Sequence, residues 1–195
     1  DMEPQELKDP ELIEALFTGG DRLPRAHALE IVARGDRMVR LLDDVVSDRY
    51  AWSEELPAWW ATTHAVYLLG AIGGRRVVPP LMRALRHADA YFSDWVLDLI
   101  PSIFGVLGEA CADALEAAAR DTGELFMVLI AALEGLAAWA VRDKSASARV
   151  FPIITAIFNN TAEPRAVRRG AGIILIDFKR EELKEQLTAF ASEEQ

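Results

Sequence analysis

The chain has 195 residues, 31 acidic against 21 basic, for a net charge of −10, and a single cysteine. That length is enough for one domain with a substantial core. The charge repels phosphate backbones and argues against nucleic acid as a partner, and the lone Cys111 excludes an intrachain disulfide and a cysteine-based metal site.

The start of the chain is acidic and polar and has no signal-peptide pattern, so a reducing, cytoplasmic setting is expected. Residues 1–22 are predicted to be a frayed segment with a short helix over Pro10–Phe17. Gly19-Gly20 would end that helix, which would cover the open end of the first repeat. Residues 23–191 read as one domain of five helical hairpins, and 192–195 as a disordered tail. No strand pattern is present.

The first hairpin is predicted over Leu23–Asp48. A linker of charged and aromatic residues, Asp48–Pro57, leads to the second, Ala58–His87, which shows the unit most clearly. Val66, Leu69 and Ile72 recur at helical spacing, with Tyr67 and Leu68 widening the apolar face. Gly73-Gly74 can take positive φ and end that helix. Val77, Val78, Leu81, Met82 and Leu85 form the stripe of the next helix, with Pro79 and Pro80 tolerated in its first turn. A unit this small cannot bury its stripes alone, so it needs neighbours of its own kind. The third hairpin, Asp89–Asp121, repeats Gly70-Ala-Ile-Gly73 as Gly105-Val-Leu-Gly108, 35 residues on. Pro101 is expected to kink or break its first helix near Ile100. The fourth spans Thr122–Asn160 and has the longest predicted loop within a hairpin, beginning at Asp143. Its apolar run Leu125–Val141 contains Glu134 and is about 17 residues long, at the short end for a bilayer span, so a buried helix is expected. The fifth spans Glu163–Ala191, and its charged last helix suits a terminal repeat with a polar outer face.

The segments AVYLLGAIGGRRVVPPLMRAL, from Ala65, and AVRRGAGIILIDFKREELKEQL, from Ala166, resemble the HEAT-like repeats first named in phycobilin (PBS) lyases. The run LPRAHALEIVARGDRMVRLL, from Leu23, is also similar to a bacterial family of short HEAT-like proteins. Some members of that family carry a cysteine-rich zinc motif that this chain lacks. The resemblance covers roughly residues 23–190. It implies an all-α fold, a right-handed α-α superhelix or HEAT-like solenoid. It carries no catalytic set, because the shared positions are structural. Arg165, Arg168 and Arg169 match the basic helix openings of such repeats, which pair with acidic groups of a neighbour.

Stacked hairpins curve, with the second helices on the concave side. Aligning those helices places Asp43, Arg83, Glu116 and Thr155 in one row, with Ser47, His87, Arg120 and Asn159 four residues further on, and Glu185 from the fifth. This mixed-charge ridge is the first candidate site, either as the lining of a peptide groove or as an inter-repeat salt ladder. A second candidate is Tyr91, Asp94, Trp95 and Asp98. Asp94 and Asp98 are i, i+4 on one helix face and repel unless a cation or basic group lies between them. They mark either a site for a cationic ligand beside Trp95 or, more simply, a solvated face or one that pairs with arginines of the second hairpin. Trp59-Trp60 would point about 100° apart on a helix, one in the core and the other either at a groove edge or, the preferred reading, covering the Asp48–Pro57 linker. His27, His64 and His87 show no metal-ligand spacing, and Cys111 reads as a small buried thiol. Gly73-Gly74-Arg75-Arg76 lacks the rest of a phosphate loop and reads as an ordinary turn.

The expectation is a non-enzymatic protein- or peptide-binding scaffold, whose acidic charge favours basic partners among others, with no cofactor, no metal, no nucleic acid and no membrane. The alternatives are a bilin lyase-like protein that binds or attaches a small molecule, with Tyr91, Asp94, Trp95, Asp98 and His87 as its residues, and an acidic inhibitor of a basic partner. A DNA-repair glycosylase, some of which are HEAT-like, is opposed by the acidic charge.

Overall fold

The computed structural model describes residues 3–193, and among them every regular element is helical. α1 (Asp9–Thr18) precedes five pairs. These are α2 (Arg25–Arg34) with α3 (Asp36–Ser47), α4 (Ala61–Ile72) with α5 (Val78–Ala90), and α6 (Asp94–Leu107) with α7 (Glu109–Arg120). The last two are α8 (Phe126–Arg142) with α9 (Ser147–Asn159), and α10 (Arg165–Asp177) with α11 (Lys184–Ser192).

The pairs follow from where the chain can turn. Gly35 and Gly108 are the only residues between the helices of their pairs, at φ 61 and 57. These are left-handed values that glycine takes without steric cost. Each helix buries one face in a common core that includes Leu42, Val46, Leu69, Leu81, Leu85, Phe104, Leu136 and Ile154. First helices meet first helices in sequence order, α2 on α4, α4 on α6, α6 on α8 and α8 on α10. Among second helices, α3 meets α5 and α5 meets α7. Small residues set the approach of α6 to α8. A Cβ at Gly105 would lie 2.6 Å from the Ala138 Cβ, and one at Gly135 would lie 2.8 Å from the Phe104 Cβ.

α1 packs against α2, α3 and α4. Arg34 fastens the start of the chain to α2. Its guanidinium donates to Asp9 Oδ1 at 2.6 Å, Glu30 Oε1 at 2.7 Å and the Leu7 carbonyl at 2.9 Å.

Several expectations are corrected. Of the kink or break expected near Ile100, the break does not occur, and α6 runs on with Pro101 inside it and buried. The bond to the Leu97 carbonyl is lost there, but burial of the ring and of its apolar neighbours keeps the helix whole. The longest loop within a hairpin is 178–183 in the fifth pair, not the one at Asp143. Ser192 is the last residue of α11 and Glu193 a turn, while the rest of the expected tail, like residues 1–2, lies outside the described residues. Leu125–Val141 largely forms α8, which contacts α6, α7, α9 and α10. Among the described residues no helix is long and apolar enough to cross a membrane.

Candidate functional site

The ridge residues of α3 and α5 do come together. Arg83 reaches across to Asp43, Nε to Oδ1 at 3.0 Å and Nη2 to Oδ2 at 2.5 Å. Ser47 donates to Asp43 at 2.8 Å and accepts from Arg83 at 3.2 Å. Further along, Arg149 donates to Asp113 at 2.6 Å and Glu116 at 3.1 Å, and Arg120 donates to Glu116 at 3.2 Å. Arg149 accordingly holds the Asp113 carboxyl below its ordinary value. His87 turns its Nδ1 to the Val46 carbonyl at 2.9 Å, with its ring edge-on to Trp52 and Tyr91. Thr155 is half-buried and Asn159 exposed, and neither enters this network. Most of the ridge's charge is therefore neutralised within the fold.

A different arrangement occupies the side where α4 and α6 meet. After α3 the linker tucks Trp52 into the core, its Nε1 donating to the Val46 carbonyl at 2.9 Å. The chain then enters a 3-10 turn, Ala58–Trp60, ahead of α4. Trp59 and Trp60 are both half-buried, not split between core and surface as expected. Their rings meet edge to face at 4.9 Å and 85°. Trp60 also meets Trp95 from the first turn of α6, with centroids 5.6 Å apart.

Open cavities flank this indole contact. One, of about 930 Å³, is lined by Asp21, Glu54, Glu55, Leu56, Trp59 and Trp60 among others. The other, of about 430 Å³, is lined by Tyr67, Asp94, Trp95, Asp98, Leu99 and Ser102. Trp95 is 62 % exposed and Tyr67 55 %. Phe92, three residues before Trp95, is 87 % exposed at φ 56, an unusual conformation for a bulky side chain. Among the described residues, none of Asp21, Glu54, Glu55, Asp94 or Asp98 forms an ion pair. Burial, and then repulsion from Asp98, raises the Glu134 carboxyl on the adjacent α8 above its ordinary value.

Of the second predicted set, Asp94, Trp95 and Asp98 share the smaller cavity. Tyr91 does not line it and packs on His87 instead. Tyr67, read from sequence as part of an apolar face, and Trp60 belong to the strip. One signal in the sequence pairs the two indoles. Trp60 and Trp95 are 35 residues apart, the spacing that also carries Gly70 to Gly105.

The remaining candidates are structural. Cys111 is buried, donates to the Phe104 and Gly108 carbonyls, and is pushed up to about 12 by burial, so it stays a thiol at neutral pH. His64 bonds the Gly20 carbonyl at 2.7 Å, and His27 Nδ1 is buried with no partner among the described residues. Arg168 donates to the Phe158 carbonyl at 2.8 Å and lies over the Phe190 ring, as Arg165 does, so Arg168 completes the end of α9. Arg76 pairs with Asp36 at 3.4 Å. Among the described residues no group of His, Cys, Asp and Glu could hold a metal ion. No protein-family model, curated protein or solved structure matches the chain.

Proposed function

We propose that this chain is a non-enzymatic HEAT-like solenoid, a right-handed α-α superhelix of five hairpins, that binds a protein or peptide partner. The succession of first helices on first helices from α2 to α10, and of α3 on α5 and α5 on α7, supports that architecture. The observation that carries the function is the Trp60–Trp95 contact. It brings one ring from each of two open cavities together, in a strip of aromatic side chains and of carboxylates that form no ion pair among the described residues. Exposed indoles in pockets are the groups that most often dominate binding energy at protein interfaces. The second-helix ridge is the second reading. A cavity of about 380 Å³ beside it, lined by Arg120, Ala156, Ile157 and Asn160 among others, favours it.

The test is capture of partners from lysate of the source organism by three forms of the protein, wild type, Trp95→Ala and the pair Arg83→Glu with Glu116→Lys. A partner lost with Trp95→Ala and kept by the ridge variant supports the strip. A partner lost only by the ridge variant moves the site to the second helices. If neither variant changes what is captured, both surfaces are wrong.

A further inference from the structure

The geometry points to a cationic occupant. We propose that the strip takes a polypeptide segment carrying at least two lysine or arginine side chains, one against the Trp59–Trp60 corner and one in the cavity between Tyr67 and Trp95. This inference rests on the reading of the strip as the binding surface and names the chemistry of its partner.

Three observations carry it. The indole faces are free of the chain's own cations, since the cation–π contacts among the described residues fall on Tyr50, Phe151 and Phe190. Neither cavity has a lysine or arginine in its lining, whereas Asp21, Glu54 and Glu55 line one and Asp94 and Asp98 the other. These five carboxylates form no ion pair among the described residues, although the arginines of the same hairpins do pair elsewhere, Arg76 with Asp36, Arg83 with Asp43 and Arg86 with Glu124.

A cation is the ligand that suits both halves of this lining. An ammonium or guanidinium group over an indole face gains from the ring quadrupole, and nearby carboxylates add charge complementarity. An uncharged apolar segment would bury the carboxylates without compensation, which is costly. An acidic segment, a nucleic acid or an anionic lipid surface would be repelled. Because the cavities meet at rings only 5.6 Å apart, a single extended segment reaches both.

The experiment selects twelve-residue peptides from a random display library on the immobilised full chain. The selected peptides are then measured by titration against three forms, wild type, Trp95→Ala, and a charge variant combining Glu54→Gln, Glu55→Gln, Asp94→Asn and Asp98→Asn. Circular dichroism confirms the fold of each. The expected result is peptides enriched in lysine and arginine, at least two in each, whose affinity falls about tenfold or more in the charge variant and in Trp95→Ala, and weakens with added salt. If the selected peptides are uncharged or acidic and depend on Trp95 but not on the carboxylates, the cationic inference is overturned while the strip stands as the binding surface. If their binding depends on neither, the strip itself is wrong. Selection of no peptide overturns the inference as well.

Discussion

Arg83 on α5 grips both carboxylate oxygens of Asp43 on α3, and Ser47 completes the triangle. This pairing ties the second helices of consecutive hairpins together. It is partly exposed and solvated, so its worth is modest. Arg83→Ala is expected to lower stability by about 0.5–1 kcal/mol in urea denaturation at low salt, with the difference shrinking in high salt. Binding through the Trp60–Trp95 strip is expected to be unchanged by this substitution.

Gly105 and Gly170 separate two kinds of crowding. A Cβ at Gly105 would stand 2.6 Å from the Ala138 Cβ and 3.0 Å from the Ala138 backbone carbon, neither of which can swing away. Gly105→Ala is therefore expected to cost about 2–3 kcal/mol and to loosen α6 from α8. A Cβ at Gly170 would meet only the Ile130 side chain, the nearest atom being its terminal methyl. That methyl can rotate, and alanine is the better helix former by about 1 kcal/mol. Gly170→Ala is expected to be neutral or mildly stabilising, as thermal midpoints of the two variants will show.

These glycines also show how far the sequence alone reaches. Hairpin boundaries were legible because Gly35, Gly73 and Gly108 sit where apolar stripes change phase, and the structure has turns at each. At Pro101 the local rule allowed a kink or a break, and the break is prevented by burial of the helix around the ring. The acidic pair Asp94 and Asp98 was visible from its i, i+4 spacing. Tyr67 was not, since one-dimensional periodicity gives it the same standing as its buried neighbours Val66 and Leu68. Trp59 and Trp60 were assigned to an α-helix, but they lie in a 3-10 turn, and their rings pack edge to face on each other, which leaves both half-buried.

Two carboxyls should respond to pH with opposite sign. Hydrogen bonds from Arg37 and then Arg34 hold Asp9 below its ordinary 3.8, so its contribution is complete above that value and is lost as pH falls through the lowered one. Glu134 is raised above 4.5 by burial and by Asp98, so the folded state keeps its proton longer. Stability from this group is greatest below 4.5 and declines as pH rises through the raised value, which leaves a standing cost at neutral pH. Glu134→Gln is expected to raise the thermal midpoint at pH 7 and to change it little at pH 4, whereas Asp9→Asn is expected to lower it at pH 7, with the loss narrowing in acid. Melting curves of both variants check the signs, taken from pH 7 to below 3.8, where Asp9 takes up its proton.

Cys111 is expected to resist thiol reagents in the native protein. Its sulfur is about 1 % exposed at the residue level, and burial pushes its pKa up to about 12. Little reactive thiolate is present at pH 8. A disulfide reagent should modify it slowly at pH 8 and at the rate of an ordinary thiol once the chain is unfolded in denaturant. Fast native labelling would show that the α6–α7 corner opens readily.

The carbonyl of Val46, near the end of α3, receives two side-chain donors, Trp52 Nε1 and His87 Nδ1, each at 2.9 Å. A helix leaves its last carbonyls without partners inside the helix, and Val46 is fully buried, so these bonds replace the water it would otherwise need. Either donor alone satisfies the acceptor, and the loss of one is therefore partly covered by the other. Trp52→Phe is expected to cost about 1–2 kcal/mol, from one hydrogen bond and some packing, and His87→Ala about 1 kcal/mol. The double variant should cost about 1–2 kcal/mol more than the sum, because it alone leaves a buried acceptor unmet. A double-mutant cycle by urea denaturation measures that coupling. Simple additivity would mean that solvent reaches the carbonyl once either ring is cut back.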